Sequence, residues 1–303
     1  MKLSPIALFV YNRLRHLQQT IESLKINHLA KESELYVFSD GPKDKEAEEE
    51  VKGVREYLKS ISGFKDVSIH ENKDNLGTSK NIIKGVTSIL NEHGKVIVLE
   101  DDLQFSPYFL KFMNDALKLY ENESKVISVC GYMYPVKINN CETLFLRIPD
   151  CWGWATWKRG WDLFADNGKQ LYDGLKAKKL FRRFNLDGSF NYVKMLKSQF
   201  QGKNDSWAIR WYAAALLNDK LSLYPSKTLA MNMGFDCSGR HGGAVDYFKS
   251  ELSKDEPSVN KIPIVENQEA VRKLGFFWWN QKFNFNKKIP GFFRKIKHTW
   301  LKI

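Results

Sequence analysis

Over the first 130 positions, apolar residues fall into short runs separated by stretches with helical spacing. Runs at 6–11, 34–38, 67–70 and 95–99 read as strands, and the spacing between them predicts helices over about 14–26, 46–61 and 78–91, with another after Ser106. Alternation of this kind predicts an α/β fold: a mainly parallel central sheet with helices on its faces. The run 95–99 has the length and unbroken apolarity of a central strand covered on both sides. Beyond 126–131 the rhythm changes to short strands and Trp-rich turns, followed by helices near 188–200 and 206–217. The change divides the chain into a half that binds one ligand, 1–130, a half that presents another, 131–260, and a tail, 261–303. No internal repeat is present, and only the acidic helix at 44–50 and the tail are compositionally biased.

At 303 residues with 43% apolar content, the chain can bury the core of one large α/β domain. The N-terminus carries one charge and then an apolar stretch too short for a signal peptide, so it reads as a first strand. No apolar run reaches the roughly 20 residues of a membrane span. These features predict a cytoplasmic protein. Cys130, Cys141, Cys151 and Cys237 have neither zinc-type nor dense disulfide spacing, so reduced thiols are expected.

Charge changes the picture at one end. Residues 271–303 hold nine Lys and Arg, no acid, and nine Phe and Trp, which is +9 of the net +12. Basic residues interleaved with rings suit an anionic membrane surface, and a peripheral position at its inner face is the expectation for 271–303. The alternatives are a tail packed on the domain and, least favoured, single-stranded nucleic acid.

The candidate chemistry gathers where strands end. The run 95–99 stops on Glu100-Asp101-Asp102. Three adjacent carboxylates repel one another and are best tolerated beside a hard divalent cation, Mn²⁺ or Mg²⁺. The plain alternative is a solvated loop whose acids favour the next helix N-terminus. Other strands run into Tyr11-Asn12-Arg13, Ser39-Asp40-Gly41-Pro42 and Asn75-Leu76-Gly77-Thr78, all at the carboxyl edge where open α/β sheets bind ligands. Asp40 can accept a base N–H, Arg13 can meet phosphate or base oxygens, and Asn75 and Gly77 allow close backbone approach before a helix. Together they outline a nucleotide pocket, although Ser-Asp-Gly-Pro is also an ordinary turn and Thr78 an ordinary cap. No Gly-rich phosphate loop is present, which argues against ATPases and dehydrogenases.

Tyr11-Asn12-Arg13, Ser39-Asp40, Asn75-Leu76-Gly77 and Val98-Leu99-Glu100-Asp101-Asp102-Leu103, in that order, resemble the GT-A nucleotide-sugar glycosyltransferases. The nearest likeness is to the N-acetylglucosaminyltransferase I type and to bacterial family 2-like enzymes, over roughly residues 5–245. The resemblance implies a GT-A fold, Asp102 as ligand to Mn²⁺ or Mg²⁺, Asp101 as ribose contact and Glu100 as sugar contact. Tyr11, Asn12, Arg13, Asp40, Asn75 and Gly77 would line the pocket of a nucleotide-sugar, UDP-sugar by family likeness. It further implies a hexosyl or N-acetylhexosaminyl transfer by inverting displacement onto a saccharide or lipid-linked acceptor, in surface-glycan synthesis.

For the acceptor side, Trp152 and Trp154 flank Gly153 in a composition suited to stacking on a sugar face, or equally to a core. Asn204-Asp205-Ser206-Trp207 precedes a helix, and the family places an acid before a Trp as acceptor base. Asp205 is therefore the candidate base, with Trp207 beside the acceptor; the competing role for Asp205 is helix cap. Gly234 to Gly243 form a polar loop in which Arg240 offers a fork for a diphosphate and His241 a metal nitrogen or phosphate donor. A nucleotidyltransferase and a non-catalytic sugar-binding or membrane-surface module are the rival readings; the first lacks its usual Gly-rich basic signature.

Overall fold

The computed structural model describes residues 2–236 and 248–287, the last six of these by backbone only. The first half builds β1 (Ile6–Val10), α1 (Leu14–Lys25), β2 (Glu34–Ser39), α2 (Lys45–Leu58), β3 (Asp66–Glu71), α3 (Thr78–His93), β4 (Lys95–Glu100), β5 (Leu103–Phe105) and α4 (Phe109–Leu119). The second half adds β6 (Val126–Cys130), β7 (Thr143–Leu146), β8 (Trp154–Trp157), α5 (Lys158–Trp161), α6 (Gly168–Ala177), α7 (Phe181–Phe184), α8 (Tyr192–Phe200) and α9 (Trp207–Leu217). It closes with β9 (Leu221–Pro225), β10 (Ala230–Asn232) and α10 (Gln268–Lys287).

Eight strands form one mixed sheet in the order β3-β2-β1-β4-β8-β6-β9-β7, and β10 pairs with β5 in a separate ribbon. This is the architecture of the GT-A fold. The same sheet runs through both halves. β1, β2, β3 and β4 are parallel, and their register aligns Val10 with Ser39, Ser39 with Glu71 and Phe9 with Glu100. The residues after each strand therefore emerge side by side at one edge. β8 is antiparallel to both β4 and β6, so its amino end lies at that same edge.

Alternation along the central strands sends side chains to two cores. Ile6, Leu8, Val10, Ile97 and Leu99 pack with Leu17, Ile21 and Leu24 of α1 and Phe109 and Phe112 of α4. Ala7, Phe9, Val96 and Val98 pack with Ile82, Val86 and Ile89 of α3 and with Trp154, Trp161, Trp207 and Trp211. A Cβ at Gly85 would run into the Phe9 ring, so glycine lets α3 approach the sheet.

Several boundaries differ from the expectation for physical reasons. β4 continues through Glu100 because Phe9 of β1 still pairs with it. The helix expected from 188 begins at Tyr192, since Leu186, Asp187 and Gly188 all have positive φ and Asn191 caps the first turn by accepting from the Lys194 N–H. Gly77, not Thr78, precedes the first residue of α3 and makes no side-chain cap.

Trp154 is 1% exposed and sits in the second core. Replacing Trp154 with Ala is expected to cost about 3–5 kcal/mol in urea denaturation, and the same change at the half-buried Trp152 much less.

Candidate active site

Two of the acids at the end of β4 share one guanidinium. Asp101 is turned inward: Oδ2 accepts from the Tyr11 N–H at 3.2 Å, Oδ1 from Arg13 Nη2 at 2.9 Å, and its carbonyl from Thr20 Oγ1 at 2.8 Å. Asp102 also accepts from Arg13 Nη2, at 2.7 Å, through Oδ2; its Oδ1 accepts from Asn232 Nδ2 at 3.3 Å. The Met233 N–H donates to the Asp102 carbonyl at 2.7 Å, continuing the β5–β10 ribbon. A Cβ at Gly234 would run into the Asp102 carboxylate, so only glycine lets this strand pass.

Charge balance at this edge is unfinished. Burial, reinforced by Asp102 and Asp101, pushes the Glu100 carboxyl up to about 8, and burial with Asp102 pushes Asp101 up to about 6. Burial works against the Arg13 charge, but Asp101 and Asp102 outweigh it and hold Arg13 fully protonated. Three acids face one guanidinium, an arrangement that draws further positive charge. The oxygen set suits a hard cation. Yet among the described residues no three His, Cys, Asp or Glu side chains converge as a complete metal cage. A cation here would rest on Asp102 and complete its shell with oxygens from a ligand and water, as Mg²⁺-type ions do with phosphates.

The loops beside the acids are held by Asp40, which is 3% exposed. Its Oδ1 accepts from the N–H groups of Gly41 (3.0 Å) and Leu76 (2.9 Å) and from Asn72 Nδ2 (3.3 Å), and its Oδ2 from the Gly77 N–H at 2.9 Å. Asn75 Nδ2 donates to the Gly41 carbonyl at 2.7 Å. A Cβ at Gly41 would collide with the backbone of Lys73 and Asp74. Asp40 thus clamps two loops together, each bond to its charged oxygens contributing about 1.5–3 kcal/mol. Gly77 has φ of 75° with open space where its Cβ would be, which leaves the loop approachable. Tyr11 accepts from the Lys43 N–H through its hydroxyl, and Asn12 donates to Glu50, so both shape the rim. All eight expected residues from Tyr11 to Asp101 lie at the one edge.

The tryptophans divide. Trp154 stacks on Trp207, with centroids 5.2 Å apart, and both are buried among Trp161 and Trp211. These two rings are core, not acceptor contacts, since both lie inside the second core at 1% and 5% exposure. Trp152 remains half-buried against Tyr132 (4.6 Å), Phe235 (5.6 Å) and Phe248 (5.5 Å). Asp205 is exposed, and Ser206 rather than Asp205 caps α9 by accepting from the Ile209 N–H. Arg210 Nη2 donates to Ser79 Oγ at 2.7 Å, tying the first turn of α9 to that of α3. Arg240 and His241 lie outside the described residues.

Sequence reasoning missed Asn232, took Gly234 only as the start of a polar loop, and missed Asp150. The first two come from a ribbon no local pattern announces. Asp150 was detectable as the lone acid in an otherwise apolar and aromatic stretch. It is half-buried; Oδ1 accepts from the Trp152 N–H at 2.9 Å and Oδ2 from the Tyr134 hydroxyl at 3.3 Å. Burial pushes its carboxyl up to about 6 despite those bonds.

Residues 6–155 match glycosyl transferase family 2. No curated protein matches the chain. Among solved structures, S. aureus TarS is 16% identical over 45% of this chain and 22% of its own, with a TM-score of 0.30. Its 1–349 fragment is 13% identical over 77% of this chain and 61% of its own, at 0.41. The mannosyltransferase PcManGT from Pyrobaculum calidifontis, in complex with GDP-Man and Mn²⁺, is 12% identical over 71% and 75%, at 0.37. The chain therefore spans about a fifth of full TarS and under two thirds of its fragment.

A carboxyl raised from an ordinary 3.8 to about 6 by burial makes no demand on the fold below pH about 4, destabilises it increasingly between about 4 and about 6, and by a constant amount above that. Asp150→Asn should therefore raise stability at pH 8 by up to about 3 kcal/mol and leave it unchanged at pH 4, as read by urea denaturation at both values.

Proposed function

Residues 6–155 place this chain with the family 2 glycosyltransferases, and from that premise we propose that it transfers a hexosyl or N-acetylhexosaminyl unit from a UDP-sugar to a saccharide or lipid-linked acceptor. The observation that carries the reading is the single sheet edge at which Arg13, the Asp40-clamped loops and the Glu100-Asp101-Asp102 triplet meet.

In this reading the loops ending β1, β2 and β3 cradle the nucleoside. Asp40 holds Leu76 and Gly77 in place so that their backbone can approach the ligand. Asp101, fixed by Tyr11 and Arg13, presents its remaining oxygen valence to the ribose, and Glu100 to the donor sugar. Asp102 would hold Mn²⁺ or Mg²⁺, which would supply Lewis-acid neutralisation of the leaving diphosphate. Arg13 is close enough to share that anionic load. Asp205 takes the proton of the acceptor hydroxyl as its oxygen bonds to the anomeric carbon and the bond to the diphosphate breaks, with inversion. No covalent nucleophile is required.

Among the described residues no helix is long and apolar enough to cross a membrane. A surface role is supported by α10, where Phe276 and Trp279 are 62% and 51% exposed, stacked at 5.9 Å, and in line with exposed Arg272. That stripe leads into the basic, ring-rich sequence 282–303, whose charge complements anionic lipid at about 1 kcal/mol per basic residue. Sedimentation with phosphatidylglycerol vesicles should carry the protein down, phosphatidylcholine vesicles should not, and Phe276→Ala with Trp279→Ala should weaken binding several-fold. Equal binding to both vesicle types would remove the electrostatic argument.

Calorimetry should show UDP binding with Mn²⁺ and little without, Mn²⁺ alone binding weakly, and Asp102→Ala abolishing the metal-dependent part. Stronger binding of GDP than UDP would reassign the donor. Asp205→Ala should leave UDP affinity unchanged while kcat falls about 10²–10⁴-fold; an unchanged kcat would dismiss Asp205 as base.

A further inference from the structure

Because β8 runs antiparallel to its neighbours, residues 150–153 enter the sheet where β4 and β6 leave it. The Gly131 N–H donates to the Gly153 carbonyl at 2.7 Å, holding this entry segment against the end of β6. Asp150 is thereby brought within electrostatic reach of Glu100, whose carboxyl it helps to raise. Phe235, the residue after the Gly234 that lies on Asp102, packs against Trp152. The Asp150–Trp152 segment and the acidic triplet are neighbours.

The surroundings of Asp150 are unusual for a structural acid. Its carboxylate is held by the Trp152 N–H and the Tyr134 hydroxyl, and Tyr134 is in turn hydrogen-bonded to Tyr192. No Lys, Arg or His pairs with it among the described residues, and the N–H groups of Trp152 and Cys151 with the Tyr134 hydroxyl fill three of the four acceptor positions of the carboxylate. Half-buried acids without a cation are costly to keep. A carboxylate with acceptor capacity left over, next to the half-buried Trp152, matches the chemistry of a sugar ring, which donates hydroxyls edge-on and offers an apolar C–H face to an aromatic.

We propose that Asp150, with Tyr134 and Trp152, forms the subsite that grips one neutral sugar unit of the acceptor through its ring hydroxyls. The assignment rests on the glycosyl-transfer reading for the word acceptor, but the sugar site itself does not.

The test is saturation-transfer NMR with the methyl glycosides of glucose, galactose, mannose and N-acetylglucosamine, alongside UDP titration with Mn²⁺ on the same samples. Wild type should bind at least one glycoside; Asp150→Asn should weaken that binding at least tenfold, and Tyr134→Phe several-fold, with UDP affinity unchanged in both. Asp150→Asn binding the glycoside like wild type, or no glycoside binding to wild type, would overturn the proposal. Should Asp150→Asn not fold, Tyr134→Phe decides: a several-fold loss supports the subsite and no loss overturns it. Glycoside binding that depends on Asp150 in a protein that ignores UDP would sink the transferase reading and leave the sugar site standing.

Discussion

One guanidinium holds the working edge of this sheet together. Arg13 bridges Asp101 and Asp102, and without it three largely buried carboxylates would repel at the end of β4. The bridge also sets the direction of each acid: Asp101 is turned toward β1, where Tyr11 meets it, while Asp102 is left beside the β10 ribbon. Leaving such a pair half broken costs about 3–5 kcal/mol, so the positions of Arg13, Asp101 and Asp102 are mutually dependent.

A second constraint joins the two halves of the chain. β8 inserts antiparallel between β4 and β6, and its Trp154 anchors a cluster with Trp161, Trp207 and Trp211. That cluster fixes α9, and the Arg210–Ser79 bond fixes α9 to α3. The same insertion delivers Asp150 and Trp152 to the carboxyl edge. Rings that resemble a sugar platform in sequence are thus divided by one strand: Trp154 is inside it, Trp152 just ahead of it at the rim.

The C-terminal helix is tied down by a buried ion pair. Arg147, after β7, meets Glu266 through Nε and Nη2, and its own N–H donates to the same carboxylate at 3.2 Å. This pair sets where α10 starts, and Ala270, Val271 and Leu274 then pack on Tyr132, Leu144 and Tyr224. The opposite face of α10 keeps Phe276 and Trp279 in solvent.

Period-two and helical patterning determined the strands and helices of the first half almost to their ends, because each is set by local burial along a continuous run. The triplet after 95–99 and the clusters after β1, β2 and β3 were likewise legible, since parallel strands bring their trailing residues to one edge whatever the details; the family was legible only as a resemblance of those motifs in their order. Only the tertiary structure decided which rings are core, because Trp152 and Trp154 differ by two positions and no local pattern says where β8 begins. It also decided that Ser206 caps α9, that Asp40 clamps Leu76 and Gly77, and that Asn232 and Gly234 close on Asp102. Asp150 belongs with these: its meaning comes from partners 16 and 50 residues earlier in the chain, Tyr134 and Glu100, and contacts across such separations are written by packing rather than by sequence spacing.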